Sequence, residues 1–134
     1  MDKVYRATFQ GRNIHSGGIS TPQNTFVIGA DEESARLNLY ERFEDILRLN
    51  LEKLVVTQIK FCSVDDKIYL VTLDGEKLEL VGKTDPEGSF FKVCEEDPHN
   101  TIKGYRSCMN MSTGIRSHMN DDLLCVISES KTPA

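Results

Sequence analysis

The segment from residue 105 to 118 carries the side chains of this chain that are best suited to binding a small anion. Its sequence, YRSCMNMSTGIRSH, contains the guanidinium groups of Arg106 and Arg116, the amide of Asn110 and the aromatic ring of Tyr105. A guanidinium binds phosphate oxygens through two N–H groups at once, and an aromatic ring offers a surface on which a base can stack. These residues predict a site for a small phosphorylated nucleotide, and the alternative is a surface loop rich in turn-forming residues.

A second candidate for phosphate binding is the loop GRNIHSGG at residues 11–18. Glycines allow backbone N–H groups to converge on an anion, and Arg12 and His15 add charge and hydrogen-bond donors. No helix follows the loop directly, so it is neither a Walker A motif nor a dinucleotide-binding GxGxxG motif. The alternative interpretation is a plain hairpin loop.

Catalytic and metal-binding motifs are not recognisable in the sequence. His15, His99 and His118 could act as general acids or bases, and Cys108 could act as a nucleophile, but these residues are scattered along the chain. The four cysteines show no CxxC spacing, which disfavours a zinc site. We therefore expect four buried thiols that pack as small hydrophobic groups, with no metal and no cofactor.

The formal net charge of −5 is unevenly distributed. Residues 31–98 carry nine basic and seventeen acidic side chains, whereas residues 99–120 contain Lys103, Arg106 and Arg116 and no acidic residue. Affinity for duplex nucleic acid depends on neutralising many phosphates, so this acidic chain is not expected to bind a duplex. The local basic cluster still suits a small anion.

The length of 134 residues fits one domain. We expect a single domain over residues 1–130 and a frayed tail over residues 131–134. No apolar run approaches the roughly 18 to 20 residues that a membrane-spanning helix requires, and the N-terminal sequence MDKVYRATF lacks the apolar core of a signal peptide. A cytoplasmic location without membrane attachment is therefore expected.

One helix is predicted to anchor the fold. Asp31 is a good N-cap, and Glu32 and Glu33 place negative charge in the first turn. Apolar residues then recur at helical spacing, which predicts an amphipathic helix over residues 31–47. The residues of this apolar stripe are Ala35, Leu39, Phe43, Ile46 and Leu47.

Alternating or β-branched runs predict strands on both sides of the helix. The predicted strands cover residues 4–10, 24–28, 53–62, 68–73, 76–82, 89–95, 101–109 and 123–128. The pair Asp74–Gly75 predicts a tight hairpin within a three-strand meander over residues 53–81, while residues 82–88 and 110–122 lack a regular period. The predicted fold is a single α+β domain, with a mostly antiparallel sheet of about seven or eight strands packed around the helix.

The N-terminal third resembles the opening of small phage and prophage proteins. These begin with a strand ending in F-x-GR and continue into an acidic-capped helix ending in L-Y-x-x-[YF]-E-x-I. The matching residues here are Phe9, Gly11, Arg12, Ala35, Leu39, Tyr40, Phe43, Glu44 and Ile46. Among such proteins is the Thoeris anti-defence sponge family, which are oligomeric non-enzymes that sequester cyclic ADP-ribose signals and, in some members, cyclic oligonucleotides.

The resemblance implies a cofactor-free binding protein of the host-cell cytosol that forms a homo-oligomer and sequesters a small nucleotide. Arg12, Arg106 and Arg116 would clamp phosphates, Tyr105 would stack on a base, and Asn110 would read a polar edge. Of these residues only Arg12 lies in the resembling segment.

Two alternative functions remain open from the sequence. In the same setting, the acidic segment over residues 31–98 could occupy the basic surface of a host defence enzyme, which would make the protein an inhibitor. The third hypothesis is a small hydrolase that uses His15 or His118.

Overall fold

The computed structural model describes residues 2–15, 18–81 and 90–127, and these residues form ten strands, one α-helix and one 3₁₀ turn. The strands are β1 (Lys3–Asn13), β2 (Thr21–Gly29), β3 (Phe43–Lys53), β4 (Val56–Gln58), β5 (Lys67–Asp74), β6 (Lys77–Leu80), β7 (Phe90–Val93), β8 (Tyr105–Asn110), β9 (Arg116–Asn120) and β10 (Leu124–Ile127). Helix α1 covers Glu32–Tyr40, and the 3₁₀ turn covers Ile59–Phe61.

The strands form two antiparallel sheets. The first sheet has the order β2-β1-β3, and the second has the order β4-β10-β5-β7-β8-β9, with β6 paired to the C-terminal half of β5. The predicted class, a single small α+β domain with a mostly antiparallel sheet, is confirmed, although the described residues contain more strands than the seven or eight predicted.

The core is divided into three layers by the alternation of side chains along the strands. On β5, Tyr69 and Val71 face the first sheet, whereas Ile68 and Leu70 face the opposite side, towards the 3₁₀ turn. The Tyr69 ring meets the ring of Phe26 from β2 edge to face, with 4.6 Å between centroids, so this pair joins the two sheets.

Helix α1 covers the outer face of the first sheet. The Asp31 carboxylate accepts a hydrogen bond of 2.8 Å from the backbone N–H of Ser34, which confirms Asp31 as the N-cap. Ala35 and Leu39 are fully buried against Phe9 and its neighbours in the first sheet. The two residues of the predicted apolar stripe that lie in the helix therefore pack against the sheet.

The predicted end of the helix at Leu47 is wrong, because the helix stops at Tyr40 and β3 begins at Phe43. The cause is two β-bulges in β3. Between Thr8 and Arg12, each step of two residues along β1 pairs with a step of three residues along β3. Asp45 and Arg48 absorb these extra residues with positive φ angles of 55° and 57°. The residues of β3 that face the core are therefore three positions apart, and this spacing resembles the period of an α-helix.

The strand predicted over residues 53–62 is confirmed only over Val56–Gln58, which is β4. Here the chain crosses from the first sheet to the second, through a three-residue strand and the 3₁₀ turn. The hairpin at Asp74–Gly75 is confirmed, but the predicted meander is not, because the C-terminal strand β10 lies between β4 and β5. The pairing of β10 with β4 and β5 joins residues far apart in the chain, so the local sequence around β4 and β5 does not predict it.

Other boundaries shift in the second half. The strand predicted over residues 101–109 begins only at Tyr105, after Gly104 turns the chain with a φ of 81°. Strand β9 was missed, because residues 110–122 are polar and the strand is an exposed edge. The predicted loop at residues 82–88, the start of the strand at residue 89, Ser128 and the tail at 131–134 lie outside the described residues.

A test of the helix packing uses the close approach at Gly29. A Cβ atom there would lie 2.5 Å from the Ala35 nitrogen, so Gly29→Ala forces the start of α1 away from β2. We expect the free energy of unfolding to fall by about 1–3 kcal/mol in urea denaturation. The control is Ala30→Ser at the exposed neighbour, for which a change below about 0.5 kcal/mol is expected. Equal effects of the two variants would contradict this packing.

Candidate functional site

A polar cleft of about 160 Å³ lies between the β8–β9 hairpin and the segment that connects β7 to β8. Its walls carry a guanidinium, an imidazole, an amide, a hydroxyl and two carboxylates. The lining residues are Glu96, Asp97, Asn100, Ser107, Arg116 and His118.

The connecting segment owes its shape to a turn centred on Asp97. Its carboxylate accepts hydrogen bonds from the backbone N–H of His99, at 2.9 Å, and from the Asn100 side chain, at 3.3 Å. The Asp97 carbonyl accepts from the Thr101 hydroxyl at 2.8 Å. The motif Asp-Pro-His-Asn thus forms a side-chain-stabilised turn, as expected of these residue types.

Two side chains of β9 hold this segment across the sheet. Arg116 donates from Nε to the Ser107 hydroxyl at 2.7 Å and from Nη2 to the Glu95 carbonyl at 2.6 Å. The His118 Nε2 lies 2.9 Å from the Asn100 carbonyl, so this nitrogen carries the hydrogen that makes the bond. Both residues project from the same face of β9 into the cleft, because they are two positions apart.

The cleft combines opposite charges at its walls. Of the five N–H donors of a guanidinium, Arg116 uses two for the protein, and three have no partner among the described residues. The Glu96 carboxylate accepts a hydrogen bond of 3.2 Å from the backbone N–H of Ser107, and both Glu96 and Asp97 are exposed. A ligand in the cleft would therefore meet a cationic donor on one side and carboxylate acceptors on the other.

Arg106 does not join Arg116. The register of β8 with β9 pairs Arg106 with Met119 and Met109 with Arg116, so the two guanidinium groups lie on opposite faces of the hairpin. The Arg106 Nη1 donates to the carbonyls of Ile59, Lys60 and Cys62, around the 3₁₀ turn. The predicted pair of arginines therefore does not assemble, and Arg106 anchors the turn.

Tyr105 and Asn110 lie at opposite ends of β8. Tyr105 is 43% exposed and lies on the face of the cleft, which leaves its ring accessible for stacking. The Asn110 side-chain oxygen accepts from the backbone N–H groups of Ser112, at 2.9 Å, and Thr113, at 3.3 Å. Asn110 thus shapes the β8–β9 turn, and its predicted role in reading a base stays a prediction.

Arg12 lies near the end of β1 in the first sheet, and His15 lies in the connection that follows β1, so neither lines the cleft. Val4 of β1 packs against residues of the second sheet. Arg12 lies eight residues further along β1, which corresponds to about 26 Å of extended chain. Its guanidinium makes ion pairs with Glu44, at 2.9 Å, and Asp45, at 3.1 Å. His15 is exposed in the β1–β2 connection, where its backbone N–H donates to the Asn13 side chain. The predicted clamp of three arginines is therefore not brought together.

The cysteines lie mostly in the core. Cys62, Cys108 and Cys125 are buried, Cys94 is half-buried, and all four are free. Burial raises the pKa of Cys108 to about 11, so this thiol is not poised as a nucleophile near neutral pH. The sulfur atoms of Cys62 and Cys125 lie 3.5 Å apart, and their hydrogen bond lowers the pKa of Cys62 and raises that of Cys125.

Comparison with protein-family models, curated proteins and solved structures gives no match. Within the described ranges, no helix is long and apolar enough to cross a membrane. The same residues contain no group of three or more His, Cys, Asp and Glu side chains that could hold a metal ion. Any functional argument therefore rests on the cleft and the surfaces themselves.

Four residues of the cleft, Glu96, Asp97, Asn100 and Ser107, are in none of the sequence-based predictions of site residues, and His118 was predicted only as a residue of the hydrolase alternative. The signal for Asp97 and Asn100 was present as a turn motif, but nothing local indicates that the turn folds over β9. Ser107 sits opposite His118 only because of the β8–β9 register. Arg116 is the predicted ligand-binding residue that lies in the cleft.

Substitution of Arg106 should lower the free energy of unfolding more than substitution of Arg116. Arg106→Ala leaves carbonyls around the 3₁₀ turn without their donor, so the free energy of unfolding should fall by about 2 kcal/mol. Arg116→Ala removes an exposed side chain whose two hydrogen bonds, to Ser107 and Glu95, lie at the surface, and a smaller loss of about 1 kcal/mol is expected. Urea denaturation measures both, and a larger loss for Arg116→Ala would contradict these assignments.

Proposed function

We propose that this protein is a non-enzymatic binding protein that takes up a small phosphorylated nucleotide through the cleft beside β9. In this proposal it acts in the cytosol of a host cell as a phage-type anti-defence protein, sequesters a nucleotide signal, forms a homo-oligomer and uses no cofactor. The observation that carries the proposal is the guanidinium of Arg116, which lines the polar cleft and has three N–H donors without a partner among the described residues.

The chemistry of the cleft suits a ribose phosphate. Guanidinium N–H groups bind phosphate oxygens in pairs, and the ring of His118 lies beside them on the same strand face. The carboxylates of Glu96 and Asp97 can accept hydrogen bonds from ribose hydroxyls, as acidic residues do in nucleotide-binding proteins. The exposed ring of Tyr105, on the same face of the hairpin, supplies a stacking surface for a base.

The size of the cleft limits what enters it. Its volume of about 160 Å³ is below the roughly 300–1,000 Å³ of pockets that enclose a drug-sized ligand. One ribose-phosphate unit is therefore proposed to sit in the cleft, with the rest of the ligand against the outer face of β8 and β9. A cyclic nucleotide would therefore be bound through one of its ribose-phosphate units, with the rest of the ring outside the cleft.

The proposed setting is supported by the resemblance of the N-terminal third. Several residues that carry it pack together: Phe9 meets Phe43 edge to face at 4.9 Å, and Ala35 and Leu39 lie in the same cluster. The resemblance thus concerns the first sheet and its helix, whereas the proposed binding cleft belongs to the second sheet. This division predicts that ligand binding depends on residues outside the resembling segment.

The proposal is tested by thermal unfolding with a panel of ribose 5-phosphate, AMP, ADP-ribose, cyclic ADP-ribose and a cyclic dinucleotide. A ligand at about 100 times its Kd stabilises the folded state by about 2.7 kcal/mol, which raises Tm by several degrees. Arg116→Gln should abolish this shift, because it removes the cationic donor.

The matched control is Arg48→Gln, which removes an exposed arginine from the first sheet and should leave the shift unchanged. An absence of any shift in wild type at saturating ligand, or equal loss in both variants, would contradict the proposal. The inhibitor alternative from the acidic segment would then be favoured.

A further inference from the structure

Among the residues that the structure describes, no strand pairs with the outer edge of β9. Two backbone hydrogen bonds show which residues of β8 and β9 bond to each other. The N–H of Asn110 donates to the Ile115 carbonyl, and the N–H of Asp121 donates to the Gly104 carbonyl, both at 2.9 Å. The remaining pairs follow in alternation, so Ser117 and Met119 direct their backbone groups towards β8.

The alternate residues of β9, which are Arg116, His118 and Asn120, therefore direct their backbone N–H and C=O groups away from the sheet. Among the described residues, β9 pairs only with β8, so these N–H groups have no backbone partner. The Asn120 carbonyl also accepts a hydrogen bond from Leu123 at 3.0 Å.

Three other edge strands, β2, β3 and β4, are covered, distorted or short. On β2, the carbonyls of Ile28 and Phe26 accept hydrogen bonds from the side chains of Asn38, at 2.7 Å, and Arg42, at 3.0 Å. Strand β3 is distorted by its two bulges, and β4 is only three residues long. Strand β9 has neither a bulge nor a proline, and its register with β8 is unbroken.

We propose that β9 pairs with β9 of a second copy of this chain, antiparallel about a twofold axis through His118. This register sets His118 opposite its own copy and Arg116 opposite Asn120 of the other copy. Every outward N–H of Arg116, His118 and Asn120 then meets an outward carbonyl, because the strand is complementary to itself in this arrangement.

Charge favours the same arrangement. Arg116 lies at the start of β9 and Asp121 follows its end, so antiparallel pairing brings these opposite charges close at both ends, whereas Asp122 is already paired with Lys60 at 3.0 Å. The two sheets become one continuous sheet, and the clefts of both copies open on the same face. The second copy thus adds an arginine and a histidine beside each cleft.

This inference names the interface of the proposed homo-oligomer, so it rests on the proposed function for its setting but requires no ligand. Its test is made on the full chain without nucleotide, and its failure is therefore distinct from a failure of ligand binding. Sedimentation velocity over a series of concentrations should show the mass doubling as concentration rises. A monomer at every concentration would overturn the inference.

A cysteine at the twofold position gives a sharper test. In the Cys94→Ser background, His118→Cys should form an interchain disulfide with diamide, which takes the two hydrogens from the paired thiols. Residues of a hydrogen-bonded antiparallel pair have Cα atoms about 5.5 Å apart, within the range that a disulfide spans. Arg116→Cys, whose partner is Asn120, should not link alone but should link when mixed with Asn120→Cys.

Proline and alanine at the same position separate the backbone from the side chain. His118→Pro removes the central outward N–H without touching a β8 hydrogen bond, so it should yield a monomer, while His118→Ala should still dimerise. Circular dichroism confirms that each variant is folded. A wild-type dimer in which Arg116→Cys links as fast as His118→Cys would place the contact elsewhere and overturn the inference.

Discussion

Backbone hydrogen bonding at the strand edges is the constraint on which this structure depends, since a strand that ends a sheet must leave its N–H and C=O groups to solvent or cover them. Here α1 does more than pack its apolar stripe on the first sheet. Asn38 of the helix and Arg42 of the turn that follows it donate to the β2 carbonyls, so the helix and this turn cover an edge as well as a face. The other edge of β1 pairs with β3, which begins at Phe43, three residues after the helix ends.

The sequence was sufficient to predict the fold class and the start of the helix. Asp31 marked the cap, and the Asp74–Gly75 pair marked the β5–β6 hairpin, because caps and tight turns act through neighbouring residues. The end of the helix was not predictable in this way. Bulges at Asp45 and Arg48 give β3 a helical spacing, and only the ladder with β1 distinguishes the two structures.

The candidate site shows the same limit. Arg106 and Arg116 are close in sequence and similar in chemistry, yet the pleat of the hairpin sends one to the 3₁₀ turn and the other to the cleft. Which arginine is available for a ligand depends on the β8–β9 register and on where the Asp97 turn folds. Local sequence determines neither the register nor the position of this turn. Arg116 could therefore be proposed from the sequence as a ligand-binding residue, but it could not be preferred over Arg106. With Arg116 and His118 on an open edge strand, binding and self-association would share one element.

The open edge of β9 is tested most directly by amide hydrogen exchange, residue by residue, on the isotopically labelled protein. In dilute solution the amides of Arg116, His118 and Asn120 should exchange quickly, while those of Ser117 and Met119 are protected by β8. The three outward amides should gain protection as the concentration rises. Protection of these amides at the lowest concentration, or rapid exchange at concentrations where the protein is dimeric, would contradict the account.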